Sequence, residues 1–156
     1  RFTALCHLIL GLGLALAPIG AYLAVSGKFE ILPIVFSLVV FFWVSGFDII
    51  YSLQDEEFDK TQKLHSIPVL IGKKNALNLS NLLHFFTFSA LSIAGLLDEF
   101  GLYYWIGFWI FTALLAYQHR LVKHNDLSKV NLAFFTTNGI ASVIFGAFVI
   151  TDLLLK

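Results

Sequence analysis

Five apolar runs, most of them long enough to cross a bilayer as a helix, constrain this chain more than any other feature. They lie at about 2–25, 31–47, 76–97, 102–117 and 132–155, and polar or glycine-containing breaks separate them. Spanning about 30 Å of hydrocarbon takes roughly 20 mainly apolar helical residues. Barrel strands would instead alternate apolar and polar side chains over about ten residues, and these runs are apolar all round. The expected fold is therefore all-α, a multi-pass transmembrane helix bundle with five spans. Composition agrees: 58% of residues are hydrophobic, 13% are charged, and 17 are Phe. Soluble domains average about 25% charged residues.

Gly11, Gly13, Pro18 and Gly20 in the first run would weaken a soluble helix. In a membrane, small residues allow helices to approach closely, so packing is the expected role. Cys6 is the single cysteine, and it is expected to behave as a small hydrophobe. The chain contains no Met and begins at Arg1, directly ahead of an apolar run, which leads us to expect a piece of a longer protein.

The formal net charge is zero, but the charges are segregated. If the helices alternate, one side carries Arg1, Lys60, Lys63, Lys73, Lys74, Arg120, Lys123 and Lys129, and the other carries only Lys28 and Lys156. By the positive-inside rule the basic side faces the cytoplasm, so the breaks at 48–75 and 118–129 are expected there. Nothing in this balance points to nucleic acid. Trp43, Tyr103, Tyr104 and Trp105 are expected to anchor helix ends at the membrane interface.

The break after the second run, "GFDIIYSLQDEEFDKTQKLHSIPV", holds five acids in twelve positions. On a straight helix Asp48, Tyr51, Asp55 and Asp59 fall within a face about 80° wide, with the end carboxylates about 16 Å apart. Stacked carboxylates repel one another and call for a compensating cation. A single Mg²⁺ could not bridge so long a row, but an extended polyanion with its metal ions could lie along it. Mg²⁺ takes one or two carboxylates and fills its remaining positions with water and phosphate oxygens. Lys60, Lys63, Lys73 and Lys74 follow at once, and His65 and Ser66 can donate hydrogen bonds. The stretch reads as a metal and diphosphate site at the mouth of the bundle, with Glu56 and Glu57 off the row and solvated. A solvated loop of mixed charge is the plain alternative. Asp48 argues against it, because a membrane-proximal carboxylate is costly and usually functional.

The same residues resemble the second aspartate-rich motif, D-x-x-Y-x-x-x-D-x-x-x-D, of the UbiA superfamily of intramembrane aromatic prenyltransferases. Asp48, Tyr51, Asp55 and Asp59 fill its fixed positions. "RFTALCHLILGLGLALAPIGAYLAVSG" resembles the family's fifth helix, "KLHSIPVLIGKKNA" the segment after the motif, and "AYQHRL" and "FFTTNGIASVIFG" its last two helices. The resemblance covers essentially the whole chain, which would supply helices five to nine of nine as the C-terminal part of one domain. The family's first motif, N-D-x-x-D-x-x-x-D, does not occur here.

The resemblance implies Mg²⁺-dependent transfer of a polyprenyl group from its diphosphate to an aromatic acceptor. Asp55, Asp59 and Asp48 would hold the metal, Lys63 and Lys60 would steady the diphosphate, and Tyr51 would contact the diphosphate or its metal shell. Arg1 would bind the acceptor or the diphosphate. The family's 4-hydroxybenzoate branch in quinone biosynthesis is the nearest wording, a naphthoate acceptor in menaquinone synthesis is its alternative, and a bacterial inner membrane is the expected location. Asn138 and His7 are polar groups in apolar runs, assigned either to substrate or to helix-to-helix hydrogen bonds. His119 and Arg120 stand in the second basic break, with solvation as their plain reading. A transporter subunit is the rival from another class, but it predicts functional acids near mid-helix.

Overall fold

The computed structural model describes residues 2–156, and among them it contains helices and no strand. The order is α1 (Cys6–Ser26), α2 (Ile31–Ser52), a 3-10 turn (Leu53–Asp55), α3 (Glu56–Thr61), α4 (Ile67–Leu97), α5 (Leu102–Leu121), a π-helical turn (Leu132–Thr137) and α6 (Asn138–Leu155). Four of the described rods are long and apolar enough to cross a membrane: Cys6–Ser26, Ile31–Thr61, Ile67–Leu97 and Leu132–Leu155. α5 has the length, at 20 residues, but its tyrosines, tryptophans and "QHR" end lower its hydropathy below the others. The five expected spans thus exist as five helices, of which four carry a clear membrane signature.

The stretch expected as a long cytoplasmic break is largely helical. α2 continues through the 3-10 turn into α3 as one rod, and α4 begins at Ile67 rather than near Ala76. Inside α4 the helix breaks at Gly72, whose φ of 78° lies in the left-handed region that glycine enters without a Cβ penalty. The break separates a short turn over "IPVLI" from the membrane-crossing part.

α1 meets α2 at Gly11, where a Cβ would collide with the Ser45 side chain and the Phe41 carbonyl. Gly13 and Gly20 have open space around them among the described residues, so the packing role falls to Gly11. α2 and the 3-10 turn after it pack on α4 through Ile49, Ile50 and Leu53, all fully buried, in one cluster with Ala76 and Leu83. Ser80 Oγ donates to the Gly46 carbonyl across the same seam at 2.6 Å. Such close contacts replace the hydrophobic effect, which does not drive helices together in lipid. A second cluster joins α5 to its neighbours through Leu91, Tyr104, Phe108, Phe111 and Ala141.

Two interfacial anchors are corrected by this packing. Tyr104 is fully buried and donates its hydroxyl to the Leu91 carbonyl at 2.7 Å. Trp43 lies in the interior of α2, edge-on to Phe111, with its indole N–H directed to Asn138 Oδ1 at 3.3 Å. Both have polar tips satisfied by protein, as buried Tyr and Trp generally require. Tyr103, 40% exposed, keeps the accessibility an anchor needs.

Candidate active site

The acidic row starts on the last turn of α2. Ile49, Ile50 and Leu53 anchor one side of that turn in the core, leaving Asp48 and Tyr51 on another side. Asp48 is 21% exposed, and its Oδ2 accepts a 2.7 Å hydrogen bond from Nδ1 of His7, which is 2% exposed on α1. Donation through Nδ1 fixes the His7 tautomer and leaves its buried Nε2 with no partner among the described residues. The helix-to-helix bond considered for His7 is therefore present, and its partner is the first acid of the motif.

Tyr51 stacks on Phe134 with ring centroids 4.2 Å apart and meets Phe135 edge-on at 6.0 Å. Both phenylalanines come from the π-helical turn, where Thr137 Oγ1 donates to the Leu132 carbonyl. The extra residue per turn swings these aromatics toward α2 ahead of α6, and π turns are frequent at functional sites. Asn138 follows at once, tied to Trp43.

Beyond Tyr51 the straight-helix geometry does not hold. The 3-10 turn advances by about 120° rather than 100° per residue, so it rotates α3 relative to α2. Asp55 closes the turn, half-buried, and Asp59 in α3 is fully buried. Both make interactions within the protein. The same rotation buries Glu56, correcting the expectation that it is solvated. Glu56 is 7% exposed and accepts from Lys60 Nζ at 2.6 Å and from Lys73 Nζ at 3.5 Å. Glu57 is exposed as expected.

Lys60 is thereby engaged with Glu56. Lys63 is exposed in the turn after α3, with a left-handed φ of 51° and no ion pair among the described residues. Ser66 is fully buried at the N-cap of α4, and its Oγ has no partner among the described residues. A donor held there without a partner is a cost unless something accepts from it. Arg1 lies outside the described residues.

Residues 1–140 match the UbiA prenyltransferase family. The chain belongs to that family. UbiA-family relatives with curated functions include the 4-hydroxybenzoate octaprenyltransferases of Tolumonas auensis, 27% identical over 145 residues, and Francisella tularensis subsp. novicida, 29% identical over 145 residues. These alignments cover 93% of this chain and 50% and 51% of the relatives, so the chain spans about half the length of the curated relatives it matches. Among solved structures, the apo structure of a UbiA homolog from Aeropyrum pernix K1 superposes with a TM-score of 0.85 at 28% identity, over 98% of this chain and 57% of that one. Helices of membrane length in a UbiA fold make this an integral membrane protein.

Carboxylates are the donor type a hard divalent cation takes. Asp48, Asp55 and Asp59 offer carboxylate oxygens, and the described residues contain no group of three or more His, Cys, Asp or Glu side chains that could hold a metal alone. Mg²⁺ asks for one or two carboxylates and takes the rest of its shell from water and substrate phosphates. A site completed by a diphosphate suits a spread row better than a closed protein cage does.

The sequence marks His7 as a polar residue in an apolar run. Its pairing with Asp48 joins positions 41 apart, and no local pattern could reveal it. The burial of Glu56 was likewise hidden, because it depends on a 3-10 turn that the straight-helix wheel does not contain.

Proposed function

We infer that this chain contributes to the transfer of a polyprenyl group from its diphosphate to the ring of an aromatic acid acceptor, with 4-hydroxybenzoate the acceptor that the relatives' names favour. The observation that carries the reading is the Asp48, Tyr51, Asp55, Asp59 row, in a chain of the UbiA family, with its first carboxylate braced by a buried histidine. In the reaction the allylic C1–O bond breaks, diphosphate departs, a bond forms between C1 and a ring carbon, and the ring carbon loses its proton.

Asp48, Asp55 and Asp59 would hold Mg²⁺. When bound, the metal supplies neutralisation of the charge that develops on the leaving diphosphate. His7 keeps the Asp48 carboxylate oriented from behind, as partners of ligating carboxylates commonly do. Lys63 lends its exposed ammonium to the diphosphate, and Ser66 Oγ donates to it. Lys60 serves chiefly by holding Glu56, with Lys73 on the same carboxylate, so the helix carrying Asp55 and Asp59 stays docked against α4. Tyr51, fixed by Phe134 and Phe135, borders the diphosphate end of the site. Arg1 is assigned to the acceptor or the diphosphate on the resemblance alone. Asn138, engaged with Trp43, acts as the floor of the site where the ring and prenyl chain enter.

The eight-to-two distribution of basic residues supports a cytoplasmic position for this site in a bacterial inner membrane. The chain is read as the C-terminal part of a single prenyltransferase domain, supplying one half of a two-motif diphosphate clamp.

The test uses the purified full-length protein in lipid nanodiscs with polyprenyl diphosphate and 4-hydroxybenzoate. Product is expected with Mg²⁺ and not with excess chelator. Asp55→Asn should lower transfer by about 100-fold or more, the scale of losing a principal electrostatic contact to the leaving group. Unchanged Mg²⁺-dependent transfer in that variant would sink the diphosphate site.

A further inference from the structure

α4 and α5 touch near one end, where Gly95 lies against Tyr104 and Trp105. Toward the other end, the one that carries the acidic row, they enclose two cavities of about 460 and 230 Å³ that share Asn81 and His119. Neither cavity is lined by a residue of the acidic row. The wall from α4 carries a stripe, Lys74, Asn78, Asn81, Phe85 and Phe88, at steps of four, three, four and three residues, with Leu77 and His84 beside it. Such steps keep side chains on one helical face, here over about 21 Å. Along that face the chemistry passes from ammonium to amide to aromatic ring, which is the order in which a bilayer presents phosphate, ester and acyl chain.

The α5 side matches this gradient. Lys123 stands opposite Lys74 at the polar end, exposed, and Ala116 and Thr112 line the apolar end. Asp126, the acid nearest in sequence on the α5 side, lies outside the cavity lining, accepts from the Ser128 amide and hydroxyl at 3.0 and 2.7 Å, and keeps its charge, which Lys129 and Lys123 both feel. Two lysines line the larger cavity, and no carboxylate is among its lining residues.

At the neck, His84 and His119 are joined by a 2.7 Å bond between Nδ1 and Nε2, and His84 Nε2 lies 3.3 Å from the Trp43 carbonyl. A carbonyl only accepts, so His84 Nε2 carries the hydrogen and, in the neutral ring, its Nδ1 accepts from His119 Nε2–H. His119 Nδ1 is left as a buried acceptor with no partner among the described residues.

We propose that the α4–α5 groove binds an anionic phospholipid of the phosphatidylglycerol type, its phosphate held by Lys74 and Lys123 and an acyl chain lying along Phe85 and Phe88. Basic pockets between transmembrane helices on the cytoplasmic side are established recognition sites for such headgroups. The groove is separate from the prenyl-transfer site, and its occupancy is measured without reference to catalysis.

The full-length protein is extracted from vesicles of equal parts phosphatidylglycerol and phosphatidylcholine, and retained lipid is counted by native mass spectrometry. Wild type should retain phosphatidylglycerol selectively. K74Q/K123Q should lower that retention by about 30-fold, the worth of two lysines near a membrane surface. A116W, which fills the apolar half and leaves the lysines intact, should lower retention as well, while K28Q at the opposite end should not. Equal retention of both lipids by wild type, or no loss in K74Q/K123Q, overturns the proposal. So does displacement by inorganic phosphate alone with A116W inert, which would mark a phosphate site. Should K74Q/K123Q lose helical circular dichroism, A116W decides.

Discussion

Two aspartates in apolar surroundings, at opposite ends of the bundle, do opposite work. Asp152 lies within "FVITDLLLK" on α6, 3% exposed, and accepts from the backbone amides of Gly101 at 2.7 Å and Tyr104 at 3.2 Å. It is a helix cap supplied from a distant helix, and both its oxygens are used on the free N–H groups that begin α5. Asp48 on α2 is 21% exposed and is held through a single oxygen by His7. One carboxylate is buried with both oxygens engaged by backbone amides, and the other is partly exposed with one oxygen engaged. Membrane-proximal burial of an acid therefore does not by itself mark a site. What marks it is the unused lone pairs and the neighbours that could share them.

The largest expected effect separates these two roles. Asp48→Asn should reduce prenyl transfer by about 100-fold or more with little change in melting temperature, because it removes charge from the site while leaving the α2–α4 seam intact. His7→Ala should reduce transfer by about 10- to 100-fold, the usual scale for removing a partner of a ligating group. If His7→Ala instead lowered the melting temperature and left transfer untouched, His7 would belong with Asp152 as scaffold, and the contrast between the two ends would fail.

The converse experiment is Asp152→Ala. It leaves two amides at the start of α5 without their acceptor, at a cost of about 1–3 kcal/mol, seen as a lower melting temperature in nanodiscs. Prenyl transfer below the new melting point should stay near the wild-type level. A strong loss of transfer at temperatures where the variant is folded would show that the far end takes part in function.

The smallest effect concerns Asp126, which resembles Asp152 in serving structure but stands in solvent. The Ser128 hydroxyl and amide hold its carboxyl below the usual aspartate value. Because the folded value is depressed, the contribution is present above the ordinary aspartate range and is lost as pH falls through the folded value. Hydrogen exchange at the Ser128 amide, corrected for the intrinsic pH dependence, should show protection fading only at acid pH, and Asp126→Asn should remove that dependence. A flat protection profile in the wild type would remove the Asp126 brace from the account.

Much of the site was legible because it is written locally. Spacing alone brings Asp48 and Tyr51 to one side of a helix end, where the structure also has them. The wheel failed four residues later, because "SLQD" tightens into a 3-10 turn and a period of 3.6 no longer applies. Glu56 moved inward as a result and gathered Lys60 and Lys73. Tyr104 and Trp43 were misjudged as anchors for a related reason. Their amphipathic chemistry suits an interface equally well as a core with a hydrogen-bond acceptor in reach, and only the position of Leu91 and Asn138 chooses between them.

The sequence by itself determined that this chain forms membrane helices and that an acidic row is followed at once by lysines, since hydrophobic length and residue order are local properties. Tertiary structure decided which carboxylates are buried and which of their oxygens are engaged. His7 reaches Asp48 across 41 positions, the glycines and alanines of facing helices set how closely the backbones approach, and a carboxylate's remaining lone pairs are known only once its neighbours are in place.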